Sequence, residues 1–559
     1  MSLLQLPPEL MEQVLVETVC SGSPNTVAAV AACCRLLHDL VHSVWRDLYL
    51  AVFDDPRPKT ALQASAPGDS GPTHLAYDWN NFSRRIAAAN SLHAGDPTCD
   101  FETLVDVVAT AAPIPPASHL DPVKRGQSLS FPPLLHRQDV PTKSISWLDQ
   151  VLVSGYPPQL TKRLLGSFEP EGPLFNRPEF EDTLQGKAFN KLTFWRGFIP
   201  DPSDPAPSVE HQYATARAIA RTRVYNTKYL MPERCWGPFQ PLDPAHPNAY
   251  TWRNRLSRFI PAESGSQDVN LALRHGINFA DNRTHPTYVF PAPHRVVPDY
   301  AFLAAARIIL EANMRDFFDI ESHFHTHSSS QLAAADVGLE LDEVVDAMQS
   351  LDLVRMGGAP GFWDVWRPQK PEGDDEETSP SPVDKGKATE GDDVDGWDWA
   401  GAAGEWRRVV SWLDYRDLVS HNVDIAAGFG IDDVQETIRI FPMTLRIVRY
   451  SRPPRPPPGA NPCALIYRLP IIHVAGESRG TDTDETLRRV VAGTVRMIGD
   501  GAVRWSMVRA PLSLMHPEWV SESVQIGDIG SAIGIIGLWT GAEHSSADPV
   551  GPCWAWKIA

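Results

Sequence analysis

Residues 6–53 carry the most regular apolar pattern in the chain, and this pattern most strongly constrains how the N-terminus can fold. Leu6, Leu10 and Val14 recur at helical spacing, and further apolar residues stand beside them. The pair Pro7–Pro8 suits the first turn of a helix, where a missing amide hydrogen costs nothing. The sequence therefore predicts a helix with an unusually wide apolar face at the start of the chain.

Two further short helices are predicted before residue 53. Residues 21–24 favour a break after the first helix, and residues 27–34 form a run of small apolar side chains that expects close neighbours on several sides. A third apolar line follows at Leu36, Leu40, Val44 and Leu48. Three short helices in about fifty residues cannot bury this much apolar surface among themselves. We therefore expect a partner surface to cover part of it.

This segment resembles an F-box. The family pattern has a Leu-Pro-x-Glu start, aliphatic residues about four and eight positions later, a central Cys-Arg pair and a Trp-Arg pair near the end. The matching residues are Leu6, Pro7, Glu9, Leu10, Val14, Cys34, Arg35, Trp45 and Arg46. The chain departs from the pattern at residues 21–25, where an Asp-rich turn is usual, and at Val44, where leucine is common.

The resemblance implies a non-catalytic substrate receptor of a Skp–cullin–F-box ubiquitin ligase. The N-terminal helices would bind a Skp-family adaptor, and through it a cullin, while the rest of the chain holds a protein substrate. Transfer of ubiquitin would then follow from proximity, with no catalytic residue, cofactor or metal in this chain. The expected adaptor-binding residues are Leu6, Pro7, Glu9, Leu10, Val14, Leu15, Cys34, Leu36, Trp45 and Leu48. An interaction scaffold whose N-terminal helices only cap the fold is an alternative.

The composition limits the possible binding partners and the cellular compartment of the protein. The 559 residues carry a net charge of −19, which argues against nucleic acid or an anionic membrane surface as the main partner. No basic residue precedes Arg35, and no apolar run approaches the length of a membrane span, so neither a signal peptide nor a membrane segment is expected. Seven scattered cysteines without a Cys-x-x-Cys pair indicate reduced thiols. We therefore expect a cytoplasmic or nuclear protein.

The chain divides into five predicted parts. An F-box at residues 1–55 is followed by a linker and helices at 56–145, and a mixed, proline-interrupted region at 146–371 contains helices near 299–315 and 339–353. Residues 372–398 hold eleven acidic residues against two lysines and are predicted to be a disordered insert. Residues 399–559 form a β-rich module. The predicted fold class is α+β.

About eight short strands are predicted in the β-rich module. The predicted strands are 407–415, 437–448, 464–474, 490–498, 502–508, 520–526, 533–539 and 554–558, with turns rich in glycine and proline between them. This pattern favours an antiparallel barrel or sandwich. The runs Gly493–Asp500 and Gly551–Trp554 resemble parts of the lipocalin-like barrel that some F-box proteins carry as a substrate module.

Three motifs could carry chemistry. Residues 476–480, Gly-Glu-Ser-Arg-Gly, match the nucleophile-elbow pattern and make a serine hydrolase built on Ser478 an alternative function, with Asp500 or Asp528 and His516 or His544 as partners. The polar residues after this motif do not suit the packed helix of an elbow, so a turn with an exposed Ser478 hydroxyl is expected instead. His323, His325 and His327 alternate as zinc ligands could, but their flanks indicate a solvated loop. The glycines between 527 and 537 lack dinucleotide-binding spacing and predict turns.

Overall fold

The structure is a computed structural model, and it describes about half of the chain. The described residues are 7–20, 29–30, 32–56, 77–96, 98–111, 143–153, 155–156, 183–199, 209–230, 237–242, 293–324, 393–427, 436–462, 464–478, 489–511, 518–529, 534–542 and 548–557. They form a helical N-terminal half and an eight-stranded antiparallel β-barrel in the C-terminal half.

Nine α-helices and ten strands lie within these residues. The helices are α1 (Pro8–Cys20), α2 (Arg35–Val52), α3 (Asn81–His93), α4 (Phe101–Ala109), α5 (Lys143–Leu152), α6 (Leu184–Arg196), α7 (Val209–Val224), α8 (Tyr300–Phe324) and α9 (Tyr415–Ala427). The strands are β1 (Phe239–Pro241), β2 (Val296–Pro298), β3 (Gly404–Trp412), β4 (Thr437–Ser451), β5 (Ile471–Ser478), β6 (Arg489–Met497), β7 (Val503–Pro511), β8 (Trp519–Gln525), β9 (Ile535–Gly541) and β10 (Val550–Lys557).

The N-terminal helices α1 and α2 pack against each other through one face of α1. Met11 and Leu15 are each only 5% exposed, whereas Leu10 and Val14 on the neighbouring stripe are exposed. Between α1 and α2, residues 29–30 and 32–33 are also helical. The predicted first and third helices are therefore present, but the described residues do not establish a complete three-helix unit.

Helix α2 is fixed to the helices that follow by a buried arginine. The Arg85 guanidinium lies over the rings of Tyr49 and Phe53, at 5.0 and 4.6 Å from their centroids. It also donates to the Asp106 carboxylate and to the Thr110 hydroxyl, each at 2.7 Å. Since Arg85 comes from α3 and both of its polar partners from the region of α4, one cation ties three helices together. A fully buried cation needs such partners to offset the cost of its desolvation.

The barrel is an antiparallel meander that closes on itself. Strands β3 to β10 pair in chain order, and β10 then pairs with β3. Trp406 on β3 and Trp505 on β7 touch with ring centroids 5.3 Å apart, although three strands lie between them. Their contact therefore crosses the lumen, and the register assigns every second residue from each of them to the lumen.

One end of the barrel is closed by the segment that precedes β3, and we call this the capped end. Residues 397–402 supply Trp397, Trp399, Ala400 and Ala402 to the apolar core inside the barrel. The Trp399 indole donates to the carbonyl of Pro470 at 2.7 Å, and the Gln525 amide donates to the carbonyl of Ala400 at 3.3 Å. The capped end is thus filled by side chains whose polar groups have partners.

Helix α8 lies on the outer face of β9, β10 and β3 and joins the two halves of the chain. Leu310 on the helix and Trp554 and Val409 on the barrel belong to a single hydrophobic core, which also contains residues of α2 to α7. Because the outer faces of β9 and β10 are covered in this way, both faces of these strands are buried. The helices and the barrel therefore share one core.

Polar contacts reinforce this interface. Arg307 of α8 is fully buried, pairs with Glu311 at 2.9 Å, donates to the carbonyl of Phe194 and lies over the Trp554 ring. Gly197 ends α6 with a φ of +85°, and an added Cβ there would lie 2.8 Å from the Glu311 carboxylate. The glycine therefore lets α6 and α8 approach closely enough to bury the ion pair.

A second polar contact joins the barrel to α7 and α8. The Ser411 hydroxyl on β3 lies 3.0 Å from the Tyr225 hydroxyl, accepts from the Asn313 amide at 2.7 Å and donates to the Thr437 carbonyl at 3.1 Å. Nearby, the carboxylate of Glu436 accepts hydrogen bonds from two arginines of α7. These buried groups satisfy one another, as buried polar groups must.

Several sequence predictions are confirmed. The α+β class and the antiparallel barrel with eight strands are present, and the closed order of the strands decides for the barrel over the sandwich. Helices occur where the apolar patterns predicted them, at α3, α4 and α8, although α8 extends to Phe324. The helix predicted at 339–353 lies outside the described residues.

Other boundaries differ from the predictions. Residues 464–470, predicted as part of a strand, contain a 3₁₀ turn at Leu465–Tyr467, and the connection after β3 holds the unpredicted helix α9. Residues 393–398, predicted as the end of the acidic insert, pack on the barrel, where Asp393 pairs with Arg449. The rest of that insert lies outside the described residues. The ordered barrel segment thus begins by Asp393, because two tryptophans of this segment fill the capped end.

We expect Glu311→Ala to destabilise the protein by about 3–5 kcal/mol, because it leaves the buried Arg307 guanidinium without its carboxylate. Arg84→Ala is the control: it removes an ion pair to Asp78 in which both side chains are more than half exposed. Its cost should stay below about 1 kcal/mol. Urea unfolding followed by circular dichroism measures both. Equal losses in the two variants would contradict the role assigned to the buried pair.

Candidate functional site

The lumen at the other end of the barrel contains four arginines, and we call this the arginine end. Arg408 on β3, Arg439 on β4, Arg489 on β6 and Arg509 on β7 all stand at lumen-facing positions of the register. The connections at this end include residues 428–435, 479–488, 512–517 and 543–547, which lie outside the described residues. The lumen-facing arginines of the described strands thus lie together at one end of the barrel.

Aromatic rings stand between these arginines. The guanidinium carbons of Arg408 and Arg509 lie 6.0 and 5.0 Å from the centroid of the Phe441 ring, and Arg439 lies over Trp412 at 5.6 Å. Arg509 and Phe441 come from strands that are not neighbours, so this contact also crosses the lumen. Cation–π contacts of this kind hold guanidinium groups in place without neutralising their charge.

Three tryptophans form an apolar wall beside the arginines. The ring of Trp539 lies 5.8 Å from that of Trp412 and 5.2 Å from that of Trp519, in edge-to-face arrangements. Trp412 and Trp519 are only partly buried. A lumen of an eight-stranded barrel is wide enough either to be filled by side chains or to hold one small group. The arginine end therefore combines positive charge with a flat apolar surface.

Among the described residues, the positive charge at this end is only partly compensated. Burial lowers the pKa of Arg509 to about 10, and the nearby charges of Arg408, Arg489 and Arg439 lower it as well. Glu518 acts in the opposite direction, but its carboxylate is 3.1 Å from Arg489 and pairs with it. Arg509 remains charged at neutral pH. An anion brought to this place would be attracted by several guanidinium groups at once.

Two buried hydroxyls near the arginine end have no hydrogen-bond partner among the described residues. Ser478 is fully buried at the end of β5, opposite Arg489, and Ser521 is 3% exposed on β8, opposite Trp539. The Oγ atoms of both serines and the Nε of Arg509 lack partners within the described structure. Buried polar atoms without partners are uncommon and call for a physical explanation. At the capped end of the same lumen, indole and amide groups do have hydrogen-bond partners. The two ends of one barrel therefore differ in this respect.

The second candidate surface is the exposed stripe of α1. Leu10 and Val14 are 49% and 46% exposed, and they lie one turn apart on the same face. Pro7, Glu9 and Cys34, which are also expected adaptor-binding residues, are exposed too. The exposed apolar residues of this surface lie on a helix that is itself anchored through Met11 and Leu15.

The other expected adaptor-binding residues are distributed differently. Leu15 and Leu48 are buried within the chain, and Trp45 is partly buried, with its ring 5.8 Å from that of Phe82. Leu36 belongs to α2, and Leu6 lies outside the described residues. Helix α1 therefore exposes more of the predicted adaptor-binding surface than helix α2 does.

The expected position of Ser478 needs correction. It was predicted to follow a strand in an exposed turn, but it is the last residue of β5 and is fully buried. Asp500 and Asp528, the acids considered for a hydrolase, follow β6 and β8 at the capped end. The length of β6 separates them from Ser478 by about 25 Å. Neither acid can therefore act on Ser478, and the two histidines considered with them lie outside the described residues.

The sequence pattern did not reveal the arginine end. Arg407 and Arg408 are adjacent, and only the strand register shows that the second of them faces the lumen. Residues on both faces of several strands are apolar, so alternation alone does not separate inside from outside. The usable signal is the recurrence of arginine and tryptophan near the ends of strands that meet at one end of the barrel.

The described part of the chain contains neither a candidate metal site nor a candidate membrane span. No group of three acidic, histidine or cysteine side chains is placed there to hold a metal ion. None of the described helices combines the length and the hydropathy that crossing a bilayer requires. His323 lies in the last turn of α8, and the other two histidines of its motif are outside the described residues.

Comparison with known proteins does not assign the chain to a family: no family model, curated protein or solved structure matches it.

We expect Ser411→Ala and Ser478→Ala to differ in stability, although both serines are fully buried in the barrel. Loss of the Ser411 hydroxyl removes the partner of the Tyr225 hydroxyl and of the Asn313 amide nitrogen, which should cost about 1–3 kcal/mol. Loss of the Ser478 hydroxyl breaks no hydrogen bond and should change stability by less than about 0.5 kcal/mol. Urea unfolding of both variants tests this. A larger loss for Ser478→Ala would mean that its hydroxyl has an internal partner.

Proposed function

We propose that the chain is a non-catalytic substrate receptor of a Skp–cullin–F-box ubiquitin ligase. In this proposal, the N-terminal helices bind a Skp-family adaptor, the adaptor links the chain to a cullin, and the barrel holds a protein substrate. The chain contributes no catalytic residue and no cofactor. It accelerates ubiquitin transfer by raising the effective concentration of the substrate near the conjugating enzyme.

The observation that carries the proposal is the exposed apolar stripe of α1. A helix that already buries Met11 and Leu15 has no need of further exposed aliphatic side chains, yet Leu10 and Val14 are about half exposed. Leucine and valine at such positions gain free energy when a partner covers them. The same residues belong to the F-box pattern in the sequence, so the surface and the resemblance support the same partner.

The barrel supports the second half of the proposal. Its arginine end lies on a rigid closed sheet and combines charge, aromatic rings and unpartnered hydroxyls. Binding residues carried by a rigid scaffold lose little conformational entropy when a ligand arrives. We therefore place the substrate contacts in the barrel, away from the adaptor surface on α1.

The shared core determines which experiments can separate adaptor binding from substrate binding. Residues of the barrel and of helices α2 to α8 belong to one hydrophobic cluster. Removing residues 400–559 would expose the covered face of α8 and destabilise the helical half as well. Single substitutions on the two surfaces are the cleaner test because they leave this core intact.

Leu10→Arg should abolish co-purification of a Skp-family adaptor with the full chain, because an unpaired charge at the centre of an apolar interface costs several kcal/mol. Leu184→Arg is the matched control, since Leu184 is 73% exposed on α6, outside the proposed surface. Both variants should keep the wild-type thermal transition, because neither side chain is buried.

Two results would contradict the proposed adaptor surface. One is adaptor binding that survives Leu10→Arg and Val14→Asp unchanged. The other is failure of the wild-type chain to bind the adaptor, which would favour an interaction scaffold whose N-terminal helices only cap the fold.

A further inference from the structure

The arginine end has the chemistry of an anion-binding site. Several guanidinium groups face one part of the lumen, and Arg509 lies near the charges of Arg408, Arg489 and Arg439 as well as that of Glu518. Arg408 is 6% exposed. Within the described part of the chain, its guanidinium lies beside the Phe441 ring and not beside a carboxylate. Arg408 is the buried member of the four arginines, and burying a cation beside other guanidinium groups is unfavourable unless an opposite charge offsets the cost.

The charge at this end favours a dianion over a monoanion. The four arginines are accompanied by Glu518, which pairs with Arg489, and by Asp548, whose carboxylate lies beside Gly541 at the end of β9. Two positive charges are therefore left over among these groups. A phosphate monoester carries about −1.5 to −2 charges at neutral pH, whereas a carboxylate carries one.

The available donors also favour a phosphate. Arg408 and Arg509 reach the same ring, Phe441, from strands that are not neighbours, so their guanidinium groups can approach a ligand from different directions. Ser478 and Ser521 contribute two buried hydroxyls without partners, and Arg509 an unpartnered Nε. Three terminal oxygens arranged around phosphorus accept donors from several sides, and guanidinium groups bind them in a bidentate manner.

The tryptophans indicate what the phosphate is attached to. Trp412 and Trp519 are partly exposed beside Trp539, and their rings offer a flat apolar surface next to the arginines. An inorganic phosphate ion would leave this surface unused. A phosphate ester whose organic part is apolar or aromatic would cover it and gain free energy from burial.

We propose that the arginine end of the barrel binds a phosphate monoester, with Arg408 and Arg509 on the phosphate and the three tryptophans against the organic group. The ester belongs either to a phosphorylated side chain of a protein or to a phosphorylated small molecule. In the first case, the inference rests on the proposed function and makes phosphorylation a condition of substrate binding. The site itself does not depend on adaptor binding.

Isothermal titration of the full chain with phenyl phosphate tests the site, with phenol, benzoate and inorganic phosphate as comparison probes. We expect saturable one-to-one binding of phenyl phosphate, weaker binding of inorganic phosphate and benzoate, and no binding of phenol. Rising salt should weaken the binding, because the attraction is electrostatic. Absence of phenyl phosphate binding, or benzoate binding of equal affinity, would overturn the assignment.

Substitutions locate the site on the barrel. Arg408→Gln and Arg509→Gln should each weaken phenyl phosphate binding by about tenfold or more, since each removes charged hydrogen bonds. Arg509→Lys keeps the positive charge but loses the paired donors of the guanidinium group, so it should weaken phenyl phosphate binding less than Arg509→Gln does. Arg446→Gln is the control, because Arg446 is exposed on the outer face of β4. Equal weakening in the control variant would show that only the surface charge matters, and would contradict the site.

Competition then identifies the source of the ester. A pool of peptides that carry phosphoserine or phosphothreonine should displace phenyl phosphate if the ligand is a protein, and the dephosphorylated pool should not. Displacement by a nucleoside monophosphate but not by the peptides would support the site with a small-molecule ligand. These assays omit the adaptor, so their failure leaves the proposed adaptor binding untouched. Loss of adaptor binding would likewise leave the phosphate site untouched.

Discussion

The packing of α8 on the outer face of β9, β10 and β3 is the contact on which the rest of the structure depends. It buries most of the side chains of α8 between Phe302 and Met314 on one side of the barrel and joins helices α2 to α7 to the same core. The Arg307–Glu311 pair and the Ser411 hydroxyl lie within this interface, where their groups satisfy one another. Because both halves of the chain share this core, a disturbance of the barrel reaches the helices as well.

The two ends of the barrel differ. Residues 397–402 fill the capped end, where the Trp399 indole and the Gln525 amide have partners. At the arginine end, guanidinium groups lie beside aromatic rings, and the hydroxyls of Ser478 and Ser521 have no partner. A protein retains buried polar atoms without partners at a cost in stability, and such exceptions concentrate where a ligand binds. The proposed site follows from that asymmetry.

The positions of helices and strands could be predicted from the sequence better than the environments of their side chains. The strands of the barrel and the helices α3, α4 and α8 follow from apolar spacing and from the turns between them. The interior of the barrel could not be predicted, because Arg407 and Arg408 differ only in register and both faces of β9 and β10 are buried. Ser478 was misplaced for a related reason: the motif around it resembles a turn, but pairing with Met443 and Arg489 extends β5 to include it.

The central claim is that the N-terminal helices form the surface that binds a Skp-family adaptor, and alkylation of cysteines tests it most directly. Cys33 and Cys34 are exposed beside the start of α2, whereas Cys99 and Cys553 are buried, and burial raises the pKa of Cys99 to about 12. Iodoacetamide labelling, mapped by mass spectrometry, should modify Cys33 and Cys34 before Cys99 and Cys553. Addition of the adaptor should slow this modification and leave Cys99 and Cys553 unchanged. An unchanged rate at Cys33 and Cys34 in the presence of saturating adaptor would contradict the account.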